Sequence, residues 1–185
     1  MLVGLLGLQG AFLDHIPHLE RCGATNIIVR DTQTLSHIDR LIIPGGESTV
    51  MAKFLVEFNM LSPLIERINT GMPVWGICAG AILLAQQCDG HTGTLAVLPV
   101  SVTRNAYGRQ IASDTNPIAV PMLNQEAYPA IFIRAPRIDH IAEDVKVHAR
   151  RGQDPVFVQK NRIIATTFHP ELNTDDLFHR YFLSI

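Results

Sequence analysis

Through the first half of the chain, short apolar runs alternate with stretches of helical spacing. Leu2–Leu8 is a nearly continuous apolar run, the pattern of a strand buried on both faces. Phe12–Cys22 carries apolar residues at helical intervals, with Gly23 as its stop. Asn26–Arg30 and Arg40–Ile43 predict a second and a third strand, the third running into Pro44-Gly45-Gly46. Thr49–Asn59 and Ser62–Asn69 predict helices, Pro73–Ile77 a fourth strand, and Ala79–Gln87 a helix rich in Ala, Ile and Leu. This order implies an α/β fold with a parallel sheet and helices on both faces.

The second half changes character. Val97–Arg104, Ile118–Pro121, Ala130–Arg134 and Val145–Ala149 are short strand-like runs separated by turn residues. Pro155–Gln159 and Arg162–Thr167 predict a hairpin with Lys160-Asn161 at its turn. Asn173–Leu183 predicts a closing helix, capped by Asn173 or Thr174. No repeat, low-complexity segment or linker interrupts the chain, so one domain over residues 1–185 is expected.

Composition narrows the function classes. The formal net charge is −2, which gives no electrostatic case for nucleic acid or an anionic membrane. No apolar run is long enough to span a bilayer. Met1–Gly10 lacks a basic leader and a cleavage site, and it reads as a buried strand. Three cysteines, Cys22, Cys78 and Cys88, form no CxxC pair. An odd count with no secretion signal points to free thiols, a reducing cytoplasm and no zinc site.

The chemistry gathers at Gly76-Ile77-Cys78-Ala79-Gly80. An apolar strand precedes this segment and a helical pattern follows, as in a nucleophile elbow with Cys in place of Ser. Glycines on both sides leave room for a sharp, strained turn. A helix N-terminus favours a thiolate, and backbone N–H groups there can hold an oxyanion. Among eight histidines, His169 stands apart in Phe168-His169-Pro170-Glu171, at the end of an apolar strand. Residues two apart in an extended segment point to one side. Glu171 can then hold the His169 ring, which makes Cys78, His169 and Glu171 a nucleophile, base and orienter.

Pro44-Gly45-Gly46-Glu47-Ser48-Thr49 follows the third strand. It reads either as a ligand-facing loop or as an ordinary helix start capped by Ser48 or Thr49, and it lacks the Lys of a phosphate-binding loop. Arg104 and Arg134 each end a strand-like run and suit a ligand carboxylate, though surface arginines read the same way.

Taken together, these segments resemble the class I glutamine amidotransferases, and within them the glutaminases that serve pyridoxal 5′-phosphate synthase. The resemblance rests on Gly7-Leu8-Gln9-Gly10, Pro44–Thr49, Gly76–Gly80, Arg104-Asn105-Ala106-Tyr107-Gly108-Arg109-Gln110, Phe132-Ile133-Arg134-Ala135-Pro136 and Phe168-His169-Pro170-Glu171-Leu172, in that order along nearly the whole chain. It implies a flavodoxin-like, three-layer fold with a mostly parallel central sheet. It also implies hydrolysis of L-glutamine by Cys78, His169 and Glu171, with ammonia delivered to a synthase partner in vitamin B6 biosynthesis. By the same resemblance Gly46, Glu47, Ser48, Arg104, Ile133 and Arg134 bind glutamine. Gln9, Gly10, Gly46 and Ala79 lie at the oxyanion site and partner interface. No metal or organic cofactor is implied. Other readings are a glutaminase for another synthase, such as imidazole glycerol phosphate synthase, and a binding subunit that keeps the fold without the chemistry. Gln87–Leu95 reads as a variable loop with no role assigned.

Overall fold

The computed structural model describes residues 1–107 and 113–185. Gly108, Arg109 and Gln110 of the Arg104–Gln110 segment lie outside the described residues. The N-terminal half runs β1 (Leu2–Leu6), a 3-10 turn (Phe12–His15), α1 (Ile16–Arg21), β2 (Thr25–Val29), α2 (Thr32–His37), β3 (Arg40–Ile43), α3 (Ser48–Glu57), α4 (Leu61–Asn69), β4 (Val74–Ile77) and α5 (Ala79–Leu84). There follow β5 (Ala85–Cys88), β6 (His91–Thr92), β7 (Leu98–Thr103), β8 (Ser113–Val120), β9 (Gln125–Ile133) and β10 (Arg137–Ile141). The chain closes with β11 (Lys146–Arg151), β12 (Asp154–Lys160), β13 (Ile163–Thr166), a 3-10 turn (Pro170–Leu172) and α6 (Leu177–Ser184).

Seven strands form the main sheet in the order β11-β12-β13-β4-β3-β1-β2. The five strands from β13 to β2 pair in parallel, and β11 and β12 add an antiparallel edge. Alternation along the strands sends side chains to two separate cores. Leu6, Ile43, Val74 and Ala165 pack with Met51 and Leu55 of α3, Leu64 of α4 and Leu83 of α5. Leu5, Ile42, Trp75 and Ile164 pack with Leu19 of α1 and with Phe178 and Phe182 of α6. The mostly parallel, three-layer arrangement therefore follows from strands that are apolar on both sides. Among the described residues no helix is long and apolar enough to cross a membrane.

Several boundaries depart from the periodicity. The Ala79–Gln87 helix stops at Leu84, because Ala85, Gln87 and Cys88 pair with β7 in a separate four-stranded sheet, β10-β7-β5-β6; tertiary pairing overrides the helical preference of Gln. The stretch read as a variable loop holds a tight hairpin. Asp89 and Gly90 sit at φ 50° and 79° between the paired residues Cys88 and His91, the geometry that Asp-Gly favours. The hairpin of β12 and β13 forms, but Lys160 pairs with Ile163, so its turn is Asn161-Arg162, one residue later than expected. Strand β8 starts earlier than Ile118 and pairs with β9 in a two-stranded sheet of its own. The closing helix starts at Leu177, not Asn173. Asn173 is used elsewhere, its side-chain amide donating to the Tyr128 hydroxyl at 2.6 Å and the Pro129 carbonyl at 3.1 Å.

Candidate active site

Strands β4 and β13 are parallel neighbours, with Ile77 opposite Thr166. Their C-terminal ends therefore deliver Cys78 and the residues just past Thr166 to one place. The Cys78 N–H donates to the Thr166 carbonyl at 2.8 Å. Cys78 then turns sharply, with φ 49° and ψ −98°, to open α5. Such a backbone is strained for a residue with a side chain. The tight fit around it explains the glycines. A Cβ on Gly76 would lie 2.6 Å from the Gly80 backbone, and one on Gly80 would lie 2.2 Å from the Ile43 carbonyl oxygen.

His169 follows Thr166 by three residues and sits 7% exposed. Its Nδ1 lies 2.7 Å from Glu171 Oε1, and the Glu171 side chain is fully buried. The pair forms through a turn, not an extended segment, since Pro170–Leu172 is 3-10. Strand β9 anchors both halves of the site. The Ile131 carbonyl accepts from the His169 N–H at 2.8 Å, and the Ile133 carbonyl accepts from the Cys78 thiol at 3.8 Å. Ile131 and Ile133 are two apart on one strand, so their carbonyls face the same way.

Burial opposes a charge on His169, but contact with the Cys78 side chain and the bond to Glu171 outweigh it, raising its pKa from 6.5 to about 10. The ring's Nε2 is buried and makes no formed hydrogen bond among the described residues. Cys78 and His169 line the same cleft, and no direct hydrogen bond joins the Cys78 sulfur to Nε2. Burial of Glu171 favours its neutral form, yet the His169 hydrogen bond holds its carboxyl below the usual carboxylate range.

The site opens into a cleft of about 870 Å³. Cys78, Ala79, His169 and Glu171 line it with Gln9, Gly46, Glu47, Ser48, Arg104, Ile133 and Arg134. Gly10 does not line the cleft. It sits behind it at φ 102°, where a Cβ would lie 2.1 Å from the Gly45 carbonyl oxygen. The Gln9 side-chain carbonyl accepts from the Glu47 N–H at 2.7 Å, tying the first strand's loop to the glycine loop. Glu47 itself caps α3 through the Thr49 N–H at 3.3 Å, so the expected cap by Ser48 or Thr49 gives way to the residue before them.

Residues 5–185 match the SNO glutamine amidotransferase family. The chain belongs to that family. It is 45% identical over 186 residues to "Pyridoxal 5′-phosphate synthase subunit PdxT" of Thermotoga neapolitana, covering 100% of this chain and 99% of the relative. It is 46% identical over 184 residues to the protein of the same name from Pelotomaculum thermopropionicum, covering 99% and 94%. A solved structure titled "Crystal structure of glutamine amidotransferase" superposes with a TM-score of 0.92 at 39% identity, covering 98% of this chain and 97% of that one. "Structure of PurLQS from Thermotoga maritima" gives a TM-score of 0.77 at 15% identity over 99% and 97%, a likeness of fold alone.

Sequence reading took Gly45 and Asn105 only as members of their motifs, with no role of their own, and passed over Asp89; all three line the cleft. Gly45 faces His169 directly, since a Cβ there would meet the ring Cε1 at 2.4 Å. Asp89 binds Arg104 twice, accepting from its backbone N–H at 2.9 Å and from Nε at 2.6 Å. The Asp-Gly turn was the available signal for Asp89, but nothing in the sequence links it to Arg104. Arg134 stands at φ 42° after β9, a second strained residue beside the cleft.

Proposed function

We propose that this chain hydrolyses L-glutamine to L-glutamate and ammonia, and that it works as the glutaminase subunit of a pyridoxal 5′-phosphate synthase. The observation that carries the reading is Cys78 at a strained strand-to-helix turn, facing a His169 ring held by buried Glu171. In this reading the Cys78 sulfur attacks the side-chain amide carbon of glutamine. The proton that the Cys78–His169 pair holds on the ring passes to the leaving nitrogen, the C–N bond breaks, and ammonia departs from a thioester. His169 then takes a proton from water, which attacks the thioester to release glutamate and restore the Cys78–His169 pair. Ala79 is the first residue of α5, so its N–H has no carbonyl partner within the helix and can serve the oxyanion. Gly46 lines the same cleft.

Gly46, Glu47, Ser48, Ile133, Arg104 and Arg134 hold the glutamine backbone in this reading. Residues 1–185 act as one domain in the cytoplasm, with the synthase subunit as hetero-oligomeric partner and no nucleic acid or membrane involved. The names of the full-length relatives favour this synthase over another. Gln9 bridges the first-strand loop and the glycine loop, so docking at that loop can reset the cleft and raise turnover. Glutamate release is measured with and without the synthase subunit. Stimulation by that subunit is expected. A lone chain that is fully active and indifferent to it would refute the coupling, and no glutamate release in either state would refute the activity.

A further inference from the structure

Behind the candidate triad lies a buried group of rings that the proposed chemistry does not use. His15 and His179 are fully buried and His18 nearly so, at 0%, 0% and 3% exposure. His15 Nδ1 and His179 Nε2 are 2.9 Å apart, and the His18 and His179 rings stack at 4.3 Å. His18 Nε2 lies 3.0 Å from the Glu171 carbonyl oxygen. A carbonyl only accepts, so this nitrogen carries the hydrogen. The far side of His18 meets Asp176, which Arg21 also grips at 2.7 Å. The short segment from Phe12 to Arg21 thus braces the turn that bears Glu171, and the 3-10 turns Phe12–His15 and Pro170–Leu172 pack together.

Three buried polar atoms here make no hydrogen bond among the described residues: Glu171 Oε2, His15 Nε2 and His179 Nδ1. The charge of Glu171 acts on His15, and burial holds that ring neutral, with its pKa near 4. A neutral ring has one N–H, and one hydrogen lies between His15 Nδ1 and His179 Nε2. If His15 owned it, three buried groups would go unserved: the His15 Nε2 lone pair, Glu171 Oε2 and a His179 Nδ1–H. If His179 owns it, His15 Nε2–H becomes a donor for Glu171 Oε2, and only a lone pair on His179 Nδ1 remains. Orphaned donors and acceptors in a buried site are costly, so the second arrangement wins.

We propose that His15 is a positioning residue of the active site, whose Nε2–H holds the second oxygen of Glu171 and so fixes the carboxylate that orients His169. Both atoms are buried and without another partner among the described residues, and a short rotation of the Glu171 carboxyl or a bridging water is what the link requires. The proposal deepens the triad reading and rests on it.

Two measurements test it. Nitrogen-15 NMR of histidine-labelled full chain reads the tautomer directly. A hydrogen on His15 Nε2 is expected, and one on Nδ1 would overturn the assignment whether or not the glutaminase reading holds. Kinetics of the complex with its synthase then test the role. His15→Leu removes the donor while keeping volume, and kcat should fall on the order of tenfold with the KM for glutamine changed less than about twofold. His15→Gln can accept from His179 and donate towards Glu171, so it should recover at least about a third of the lost kcat. Equal kcat in the Leu and Gln variants, whether both high or both low, would reduce His15 to packing and overturn the proposal. An inactive wild-type complex would instead defeat the glutaminase reading, leaving the tautomer result to stand by itself.

Discussion

Replacing Gly45 by alanine tests the site's geometry without removing any catalytic group. A Cβ there would lie 2.4 Å from His169 Cε1 and 3.1 Å from Nδ1, whereas ordinary contact begins near 3.4 Å. The ring must therefore retreat by about 1.0 Å, the difference between 3.4 and 2.4 Å. It has nowhere easy to go, since Nδ1 is bonded to Glu171 at 2.7 Å and the backbone N–H is bonded to the Ile131 carbonyl at 2.8 Å. Misplacement of a reacting group by about 1 Å costs on the order of a hundredfold in rate, or about 2.7 kcal/mol of barrier. Overpacking of this size should cost about 1–3 kcal/mol of stability, leaving a folded protein. The assay is glutamate release at saturating glutamine with the synthase present, alongside a denaturant titration. A variant whose kcat stays within threefold of wild type would show that the ring position is not critical. A rise in KM with kcat intact would mean that the methyl group merely fills the glutamine pocket. Either result would refute the reasoning.

Cys78→Ala should abolish glutamate release while the chain stays folded, and a glutamine-like electrophile should label Cys78 alone; mass spectrometry finding the label on Cys22 or Cys88 would contradict this. Arg134→Ala and Arg104→Ala should raise the KM for glutamine, with a bidentate ion pair in a partly buried site worth on the order of 2–4 kcal/mol; unchanged kinetics in both would make them ordinary surface residues. Asp89→Asn should give a smaller rise in KM, because the Arg104 backbone contact survives while the charged pair is lost. Stability should peak near pH 6.5 and fall on both sides. On the acid side, burial holds His15 neutral with a pKa of about 4, so unfolding takes up a proton as pH falls from 6.5 towards 4, at a cost on the order of 3 kcal/mol. On the alkaline side, His169 holds its proton to about pH 10 in the fold, so its contribution, complete below pH 6.5, is lost as pH rises towards 10. Denaturant midpoints that do not change between pH 6.5 and 4.5 would contradict the acid arm.

What could be read from the sequence was what local chemistry dictates. Leu2–Leu6, Arg40–Ile43, Val74–Ile77 and Ile163–Thr166 announce themselves as strands because a parallel sheet buries both faces. The elbow at Cys78 is legible because its turn admits only glycine at positions 76 and 80. His169 and Glu171 are two residues apart in sequence, so their pairing needs no knowledge of the fold, although the expected extended geometry proved to be a 3-10 turn. Helix α2 and strand β10 were missed. Thr32–His37 is short and has one buried residue, Leu35, and Arg137–Ile141 has one, Ile138, too few to set a period. The end of α5 and the start of α6 were misread because distant partners decide them: β7 recruits Ala85–Cys88, and Tyr128 with Pro129 captures Asn173.

The same division explains why the support of the site was invisible while its chemistry was plain. Cys78, His169 and Glu171 lie within reach of motifs, but the groups that hold them come from far along the chain. Ile131 and Ile133 act through backbone carbonyls, which leave no trace in side-chain identity. Gly45 acts through the absence of a Cβ beside a ring 124 positions later. His15 and His179 are 164 residues apart and meet only because the 3-10 turn that leads into α1 lies on the same face of the sheet as α6. Two buried neutral histidines on that face reduce stability in acid, a cost that packing alone would avoid by using apolar residues. That the fold accepts this cost directly behind Glu171 is what a carboxylate needing a fixed donor requires. An apolar pair, His15→Leu with His179→Leu, should therefore gain acid stability between pH 6.5 and 4.5 while losing kcat. A double variant that gained stability and kept full kcat would show the rings to be mere filling.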